Sequence, residues 1–311
     1  MRVLFYGTPE FAIPTLRVLL DRHTVVAVVT QPDRPAGRGQ RARSSPVKRL
    51  AEERGVPVLE PPRIREPGWA ERLRERAPEV AVVVAYGQIL PRSVLDVPPW
   101  GSINVHASLL PRYRGAAPIA WAIIRGERET GITSFRMDEG MDTGPTLLRQ
   151  MTAIGPEETA GELAARLAVL GAAVLTETLD RLPTLTPTPQ DDTAATAAPR
   201  LRKEDGVLDW TRSAVELAAR VRGVNPWPGA TTETPAGRLV IWRARARPGP
   251  GAPGVLTAVD GALAIGTGEG LIEPVTVQPE SRRPLDWASY LRGARLAPGT
   301  ALGPTASATR P

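Results

Sequence analysis

Short apolar runs alternate with helix-like segments through the first half of the chain. The runs cover residues 3–6, 25–29, 80–85 and 103–105, and residues 11–20 between the first two resemble a helix. Strands with helices over both faces have this nearly continuous apolar composition. The pattern predicts an α/β protein whose N-terminal domain is a Rossmann-like, mostly parallel sheet.

One longer helix is marked over residues 159–182. Thr159 and Glu162 have the spacing of a capping box, in which each residue bonds the backbone N–H of the other. The apolar residues that then recur at helical intervals on one face are Leu163, Leu167, Leu170 and Val174. We interpret this apolar stripe as ordinary core packing.

A change of composition follows the helix. Residues 183–200 are rich in Pro, Thr, Ala and Asp without periodicity, which is typical of a linker. Ser213 with Glu216 predicts a short capped helix beyond it. Strand-like segments then cover residues 238–247, 254–259, 262–266 and 271–277. They favour a small antiparallel β domain in the form of a barrel.

These patterns predict two domains, as a length of 311 residues also suggests. We place the first at 1–188, the linker at 189–204 and the second at 205–311, with a disordered tail after Ala297. No apolar stretch approaches the roughly 20 residues that span a bilayer. The start MRVLFYG leads into a strand rather than a signal peptide. We therefore expect a cytoplasmic protein without membrane contact.

Basic residues dominate the charge. The net charge is +6 and the isoelectric point is near 10.4, which favours an acidic partner such as nucleic acid, although a basic surface can also be merely solvated. The arginines of 34–43 surround two glycines in a loop that we expect to be flexible, and those of 243–247 alternate at strand period. The candidate contacts to nucleic acid are Arg34, Arg38, Arg41, Arg43, Arg200, Arg202, Lys203, Arg243, Arg245 and Arg247.

Two polar clusters could carry chemistry. Asn104 and His106 are two residues apart on a predicted strand, so their side chains share a face where an amide and an imidazole can act on a carbonyl group. Asp138 and Asp142 follow the next strand, and spacing does not decide which of them meets His106. With no cysteine in the chain, a thiolate nucleophile and a cysteine zinc site are excluded. The turn at Gly7 lacks the G-x-G-x-x-G pattern of a dinucleotide site.

Several segments together resemble the methionyl-tRNA formyltransferase family. They are SINVHASLLPRYRGAAPI (102–119), GITSFRMDEGMDTG (131–144), FYGTPEFAIPTL (5–16), TQPDRPAGRGQRARSSPVK (30–48), VVVAYGQILP (82–91) and NPWPGA (225–230). The resemblance covers nearly the whole chain in order. Asn104, His106 and Asp142 match the catalytic trio that folate-dependent formyltransferases share, and this match selects Asp142.

The resemblance implies formyl transfer from 10-formyltetrahydrofolate to methionine on initiator methionyl-tRNA, without a metal. It also implies that the first domain is catalytic and that the second, an OB-like β-barrel, binds tRNA. Nothing in the sequence demands more than a monomer, which is the state that we expect. The implied folate contacts are Ser108, Leu109, Leu110, Pro111, Ile89, Leu90 and Gly140.

Two alternatives remain. The first is a folate-dependent formyltransferase for a small amine such as glycinamide ribonucleotide or an amino sugar, which shares the trio. The second is an RNA-binding protein without catalysis. The trio argues against the second, while the arginine-rich loop and the complete second domain favour tRNA over a small amine.

Overall fold

The computed structural model describes residues 1–36 and 41–303, with the backbone alone for 34–36 and 41–43. The helices are α1 Ile13–Arg22, α2 Pro46–Glu53, α3 Trp69–Arg74, α4 Arg92–Leu95, α5 Pro118–Ile124, α6 Ala160–Arg181, α7 Ala214–Gly223 and α8 Trp287–Ala294. The strands are β1 Arg2–Gly7, β2 Thr24–Val29, β3 Arg34–Ala36, β4 Arg41–Arg43, β5 Val58–Leu59, β6 Val80–Val84, β7 Ser102–His106, β8 Glu129–Arg136, β9 Thr146–Ala153, β10 Ala230–Thr234, β11 Gly237–Arg247, β12 Leu256–Val259, β13 Ala262–Gly266, β14 Leu271–Pro279 and β15 Leu285–Asp286. Within this described part, no helix is long and apolar enough to cross a bilayer.

The chain forms two compact units. The first contains Met1–Pro118, Glu129–Ala153 and Ala164–Ala198, and the second contains Ile119–Arg128, Ile154–Leu163 and the chain from Pro199 onward. The domain boundaries at 188 and 205 stay predictions.

A seven-stranded sheet lies at the centre of the first unit, in the order β5-β2-β1-β6-β7-β8-β9. The pairs from β5 to β7 are parallel, whereas β8 and β9 are antiparallel to their neighbours. The predicted mostly parallel sheet is confirmed. Because β1, β6 and β7 are adjacent and parallel, their carboxyl ends meet at one edge, where open α/β sheets bind ligands.

Burial explains why the apolar runs form this sheet. All five residues of β6 are buried, and so are residues 3–6 of β1. Each buried aliphatic or aromatic side chain contributes about 1.5–3 kcal/mol relative to exposure. Leu4, Tyr6 and Val83 pack in the core of this unit with residues of the flanking segments.

The predicted capping box at the start of α6 is confirmed. The backbone N–H of Thr159 donates to Oε2 of Glu162 over 2.9 Å, and the N–H of Glu162 donates to Oγ1 of Thr159 over 3.3 Å. Leu163, Leu167 and Val174 of the predicted stripe are buried. The helix therefore has both the start and the face that the sequence indicates.

The basic segment after β2 is not a plain loop. Strands β3 and β4 pair antiparallel, with Arg34 opposite Arg43 and Ala36 opposite Arg41. The sequence analysis did not predict this pairing, the expected flexibility of the segment stays a prediction, and Arg38 lies outside the described part.

An ion-pair cluster lies at the base of this hairpin. Nζ of Lys48 is 2.9 Å from Oδ2 of Asp33 and 2.8 Å from Oε2 of Glu60, and the Ser44 hydroxyl also donates to Asp33. The hydrogen bond from Lys48 holds the pKa of the Asp33 carboxyl below its ordinary value. The hydrogen bonds to Asp33 and Glu60 raise the pKa of Lys48. These bonds fix both ends of the hairpin.

The second unit contains an antiparallel sheet in the order β10-β11-β14-β13-β12, with β15 paired to β14. This confirms the predicted antiparallel β domain. Leu217 and Val221 of α7 and Trp287 of α8 pack in its core.

The chain remains ordered from residue 298 to residue 303. Leu302 is buried, and Gly303 pairs with Glu233 of β10. The expected disorder is wrong for residues 298–303, because backbone pairing and an apolar contact hold this segment. Residues 304–311 lie outside the described part.

Candidate active site

His106 is the last residue of β7, at the carboxyl edge of the sheet, and only 7% of it is exposed. Its Nε2 atom is 2.9 Å from the carbonyl oxygen of Tyr113. Because a carbonyl oxygen can only accept, Nε2 carries the proton and donates it to this bond. In the neutral ring Nδ1 is therefore left with a free lone pair.

Asp142 faces that lone pair. Its Oδ2 atom lies 3.7 Å from Nδ1 of His106, and the same oxygen accepts the backbone N–H of Gly115 over 2.8 Å. The distance to Nδ1 is longer than a hydrogen bond. The pair is nevertheless close enough for the carboxylate to stabilise the ring once Nδ1 is protonated.

Asp138, the alternative that spacing left open, has a local role. Its Oδ1 atom accepts the backbone N–H of Gly140 over 3.0 Å and the hydroxyl of Thr143 over 2.7 Å. It closes the loop that carries Asp142. The structure thus brings Asp142 to His106 and uses Asp138 within the loop.

The Asn104 amide has a weak partner. Its Nδ2 atom lies 3.9 Å from the sulfur of Met137, and a thioether is a poor acceptor. The side chain is half-buried and shares a strand face with His106, two residues further along β7. It can therefore exchange the sulfur for a stronger acceptor, such as a charged oxygen.

In the turn after His106, some side chains are buried and others are accessible. Ser108 and Leu110 are buried, and the Ser108 hydroxyl donates to the carbonyl of Arg112 over 2.6 Å. Leu109 and Pro111 are half-buried. Ser108 and Leu110 therefore hold the turn, while Leu109 and Pro111 carry its accessible surface.

A second loop follows the end of β6. Ile89 is 76% exposed, whereas Leu90 is buried in the core. The carbonyl of Tyr86 accepts the hydroxyl of Thr8 over 3.0 Å and the amide of Gln31 over 3.2 Å. The turns after β1 and β2 thus hold this loop at the carboxyl edge. Of the remaining implied folate contacts, Gly140 is exposed.

Several residues that hold this site escaped the sequence analysis. Tyr113 and Gly115 contribute backbone atoms, and Gln190 donates to two backbone carbonyls of the loop around Asp142. Backbone contacts leave no residue-type signal. Gln190 lies in the segment predicted to be a linker, and the composition of that segment does not indicate a role for any single residue.

The candidate nucleic-acid residues differ in their partners. Arg200, Arg202 and Lys203 are exposed. In the second unit Arg243 binds Glu162, and Arg245 binds Glu157 over 2.7 Å. The last of the row, Arg247, binds Asp260 over 3.0 Å and Glu273 over 3.4 Å.

The predicted row on β11 is therefore not a free positive stripe. Its three guanidinium groups face four carboxylates, which long-range packing brings to them. Register shifts between Ile241 and Ala244 also interrupt the strict alternation.

In the part of the chain that the structure describes, no group of three or more His, Asp or Glu side chains is placed to hold a metal ion. The described site thus consists of an amide, an imidazole and a carboxylate.

Comparison with known proteins adds the family. A model described as Formyl transferase matches residues 1–179, and a model of the Formyl transferase C-terminal domain matches 200–295. The Methionyl-tRNA formyltransferase of Geobacter sulfurreducens is 50% identical over 99% of this chain and 98% of its own length. The chain belongs to the methionyl-tRNA formyltransferase family. The Thermus thermophilus member is also 50% identical, over 97% of this chain and 99% of its own.

Solved structures with lower identity share the fold of this formyltransferase. An N-formyltransferase from Helicobacter canadensis, in complex with folinic acid and dTDP-3-aminofucose, has a TM-score of 0.65 at 16% identity, covering 88% of this chain and 97% of that one. HypX from Aquifex aeolicus in complex with tetrahydrofolic acid has a TM-score of 0.61 at 19% identity, covering 94% of this chain. This chain spans about half of HypX, 47% of its length.

Proposed function

We infer that this chain transfers the formyl group of 10-formyltetrahydrofolate to the α-amino group of methionine on initiator methionyl-tRNA. The observation that carries the proposal is the placement of His106 between the Tyr113 carbonyl and the Asp142 carboxylate. This arrangement is found in a chain whose relatives at about 50% sequence identity are named for this reaction. The product initiates translation, so the proposed location is the cytoplasm.

Each member of the trio has a defined task in this reaction. The attacking amine places negative charge on the formyl oxygen, and the Asn104 amide donates to that oxygen. His106 accepts the proton of the amine at Nδ1, directly or through water, and Asp142 stabilises the resulting imidazolium. The bond between the formyl carbon and the folate nitrogen breaks as the new carbon–nitrogen bond is completed, and the departing nitrogen takes up this proton. A well-placed donor to such an oxygen lowers the barrier by about 3–4 kcal/mol.

The folate has an apolar surface available at the same edge. Ile89 and Met141 are 76% and 64% exposed, although both are apolar. Exposed apolar side chains beside polar groups suit a flat heteroaromatic ligand. We propose that the loops of Ile89 and Gly140, with Leu109 and Pro111, hold the folate. When bound, it supplies an activated formyl group.

The tRNA partner is proposed from charge and family together. Arg41 and Arg43 lie on the β3–β4 hairpin, and Arg200, Arg202 and Lys203 are exposed further along the chain. Such groups neutralise phosphates and carry little sequence information. We expect replacement of Arg38, Arg41 and Arg43 by Ala to weaken tRNA binding and spare folate binding. Equal loss of folate binding contradicts this separate role.

The deciding experiment offers three acceptors to the purified protein with 10-formyltetrahydrofolate. We expect formylation of methionyl-tRNA and none of free methionine or glycinamide ribonucleotide. Preferential formylation of the small amine favours the alternative reaction instead. Sedimentation of the same preparation tests the proposed monomer.

A further inference from the structure

Gln190 joins the two loops that hold His106 and Asp142. It lies after α6 in the first unit, within the Pro- and Thr-rich segment that composition assigns to a linker. Both hydrogens of its side-chain amide are used: Nε2 is 2.8 Å from the carbonyl oxygen of Asp142 and 2.7 Å from that of Gly144. This amide therefore fixes the backbone on both sides of Thr143.

The oxygen of the same amide binds the loop that contains Arg114, which follows β7. Oε1 of Gln190 accepts Nε of Arg114 over 3.1 Å and Nη2 over 2.8 Å. A guanidinium can only donate and a carbonyl can only accept, so the orientation of the amide is unambiguous. Arg114 lies directly between Tyr113, which binds Nε2 of His106, and Gly115, which binds Asp142.

Neighbouring bonds keep Gln190 in place. The backbones of Thr146 and Thr188 exchange two hydrogen bonds of 2.8 Å. Further on, the N–H of Arg114 donates to the carbonyl of Thr196 over 2.8 Å, and that of Ala198 donates to Arg114 over 2.7 Å. Gln190 is thus held on both sides by ordered backbone.

We propose that Gln190 is a positioning residue for formyl transfer, which sets the distance between the Asp142 carboxylate and the His106 ring. The proposal rests on the function proposed above. Asp142 has a φ of +56°, a left-handed conformation that is uncommon for residues other than glycine, although Asp tolerates it better than most. The two bonds from Gln190 to the carbonyls around it help to hold that conformation.

Gln190→Glu tests this with minimal change of shape. The variant keeps an acceptor for Arg114 but sets a carboxylate oxygen against the carbonyls of Asp142 and Gly144. We expect kcat for methionyl-tRNA to fall about 10- to 100-fold, since small displacements of catalytic groups have such effects. The KM values for tRNA and folate should stay within about threefold, because neither substrate contacts Gln190 in the proposed mode. Gln150→Glu, on the exposed part of β9, is the matched control and should keep the parental kcat.

A double-mutant cycle separates positioning from general stability. In an Asp142→Asn background, Gln190→Glu should change kcat by less than about threefold, because the group that it positions is already inactive. If the full loss recurs in that background, Gln190 acts elsewhere and the proposal is overturned. A kcat of Gln190→Glu equal to the parental value overturns it as well.

The imidazole ¹⁵N spectrum provides a readout without substrate. The chain has two histidines, so His23 serves as an internal reference for His106. We expect Gln190→Glu, and Gln190→Met as a second variant, to shift the His106 signals and leave those of His23 unchanged. Unchanged His106 signals in both variants overturn the proposal. Absence of formylation by the parental chain refutes the proposed reaction instead, while this spectrum still decides the role of Gln190.

Discussion

Nδ1 of His106 lies 3.7 Å from Oδ2 of Asp142, while Nε2 of the same ring donates to the carbonyl of Tyr113. The carbonyl fixes the tautomer, so the nitrogen beside the carboxylate is the one that can gain a proton. When Nδ1 gains a proton, the ring becomes positively charged and forms an ion pair with the Asp142 carboxylate. In this arrangement Asp142 acts mainly on the charged form of His106.

Replacement of this carboxylate is the sharpest test of the trio. In Asp142→Asn we expect kcat for formyl transfer to fall about 10²- to 10⁴-fold, because the protonated ring loses its counter-charge. Steady-state kinetics with methionyl-tRNA measure it. Glu139→Gln, in the same loop and exposed, should remain within about threefold of the parental kcat. An Asp142→Asn chain with parental turnover removes Asp142 from the mechanism.

A glycine beside the carboxylate gives a backbone test. Gly115 has a φ of +124°, and an added Cβ lies 2.6 Å from the carbonyl oxygen of Ala198. Gly115→Ala should therefore displace the N–H that binds Asp142 and lower both stability and kcat.

Gly55→Ala is the control for this substitution. Its φ is +67° with nothing within 4 Å of an added Cβ, so the variant keeps the conformational cost of about 1–2 kcal/mol without the clash. Thermal unfolding and kcat of both variants are compared. If Gly55→Ala loses as much kcat as Gly115→Ala, the effect at Gly115 is not local.

The ion-pair cluster at the base of the β3–β4 hairpin predicts how the stability of the fold depends on pH. Because Lys48 lowers the folded-state pKa of Asp33, the carboxylate stabilises the fold above its ordinary pKa of about 4, and this contribution is lost as the pH falls through the lower value. The difference in unfolding free energy between the parental chain and Asp33→Asn should be constant from about pH 5 to 8 and shrink below about pH 4. Denaturant titrations across this range measure it. A difference that persists at about pH 2 contradicts the ion pair.

The two sets of arginines should differ in phosphate binding. Each free cation that contacts a phosphate contributes about one unit to the slope of log binding constant against log salt. The double variant Arg200→Gln, Arg202→Gln should therefore reduce the slope for tRNA by about two units. Arg243→Gln, Arg245→Gln should reduce it less, since both groups already bind carboxylates. Filter binding between about 50 and 200 mM salt measures the slopes of the two double variants. A larger loss of slope for the Arg243, Arg245 variant contradicts the assignment of Arg200 and Arg202 as phosphate contacts.

Local sequence patterns were sufficient to predict most of the fold. Thr159 and Glu162 lie three positions apart, and the strands of the first unit are short apolar runs, so neighbours in sequence contain the information. The hairpin β3–β4 was not predicted because its strands have only three residues each and half of these residues are arginine. Such residues carry no strand signal.

The site required information that no local pattern holds. Spacing did not separate Asp138 from Asp142, because the difference lies in which loop carboxylate reaches a ring on another strand. The ion pairs of Arg243 and Arg245 likewise join positions far apart in the chain. Only packing decides whether such charges are free.

The bonds of Gln190, Thr196 and Ala198 also bear on where the chain can be cut. A fragment that stops at residue 188 discards the groups that tie the Asp142 and Arg114 loops together, although it retains Asn104, His106 and Asp142. One that stops just after Ala198 preserves them. Isolated N-terminal fragments of these two lengths would therefore share the same reactive side chains and differ in how firmly these are held.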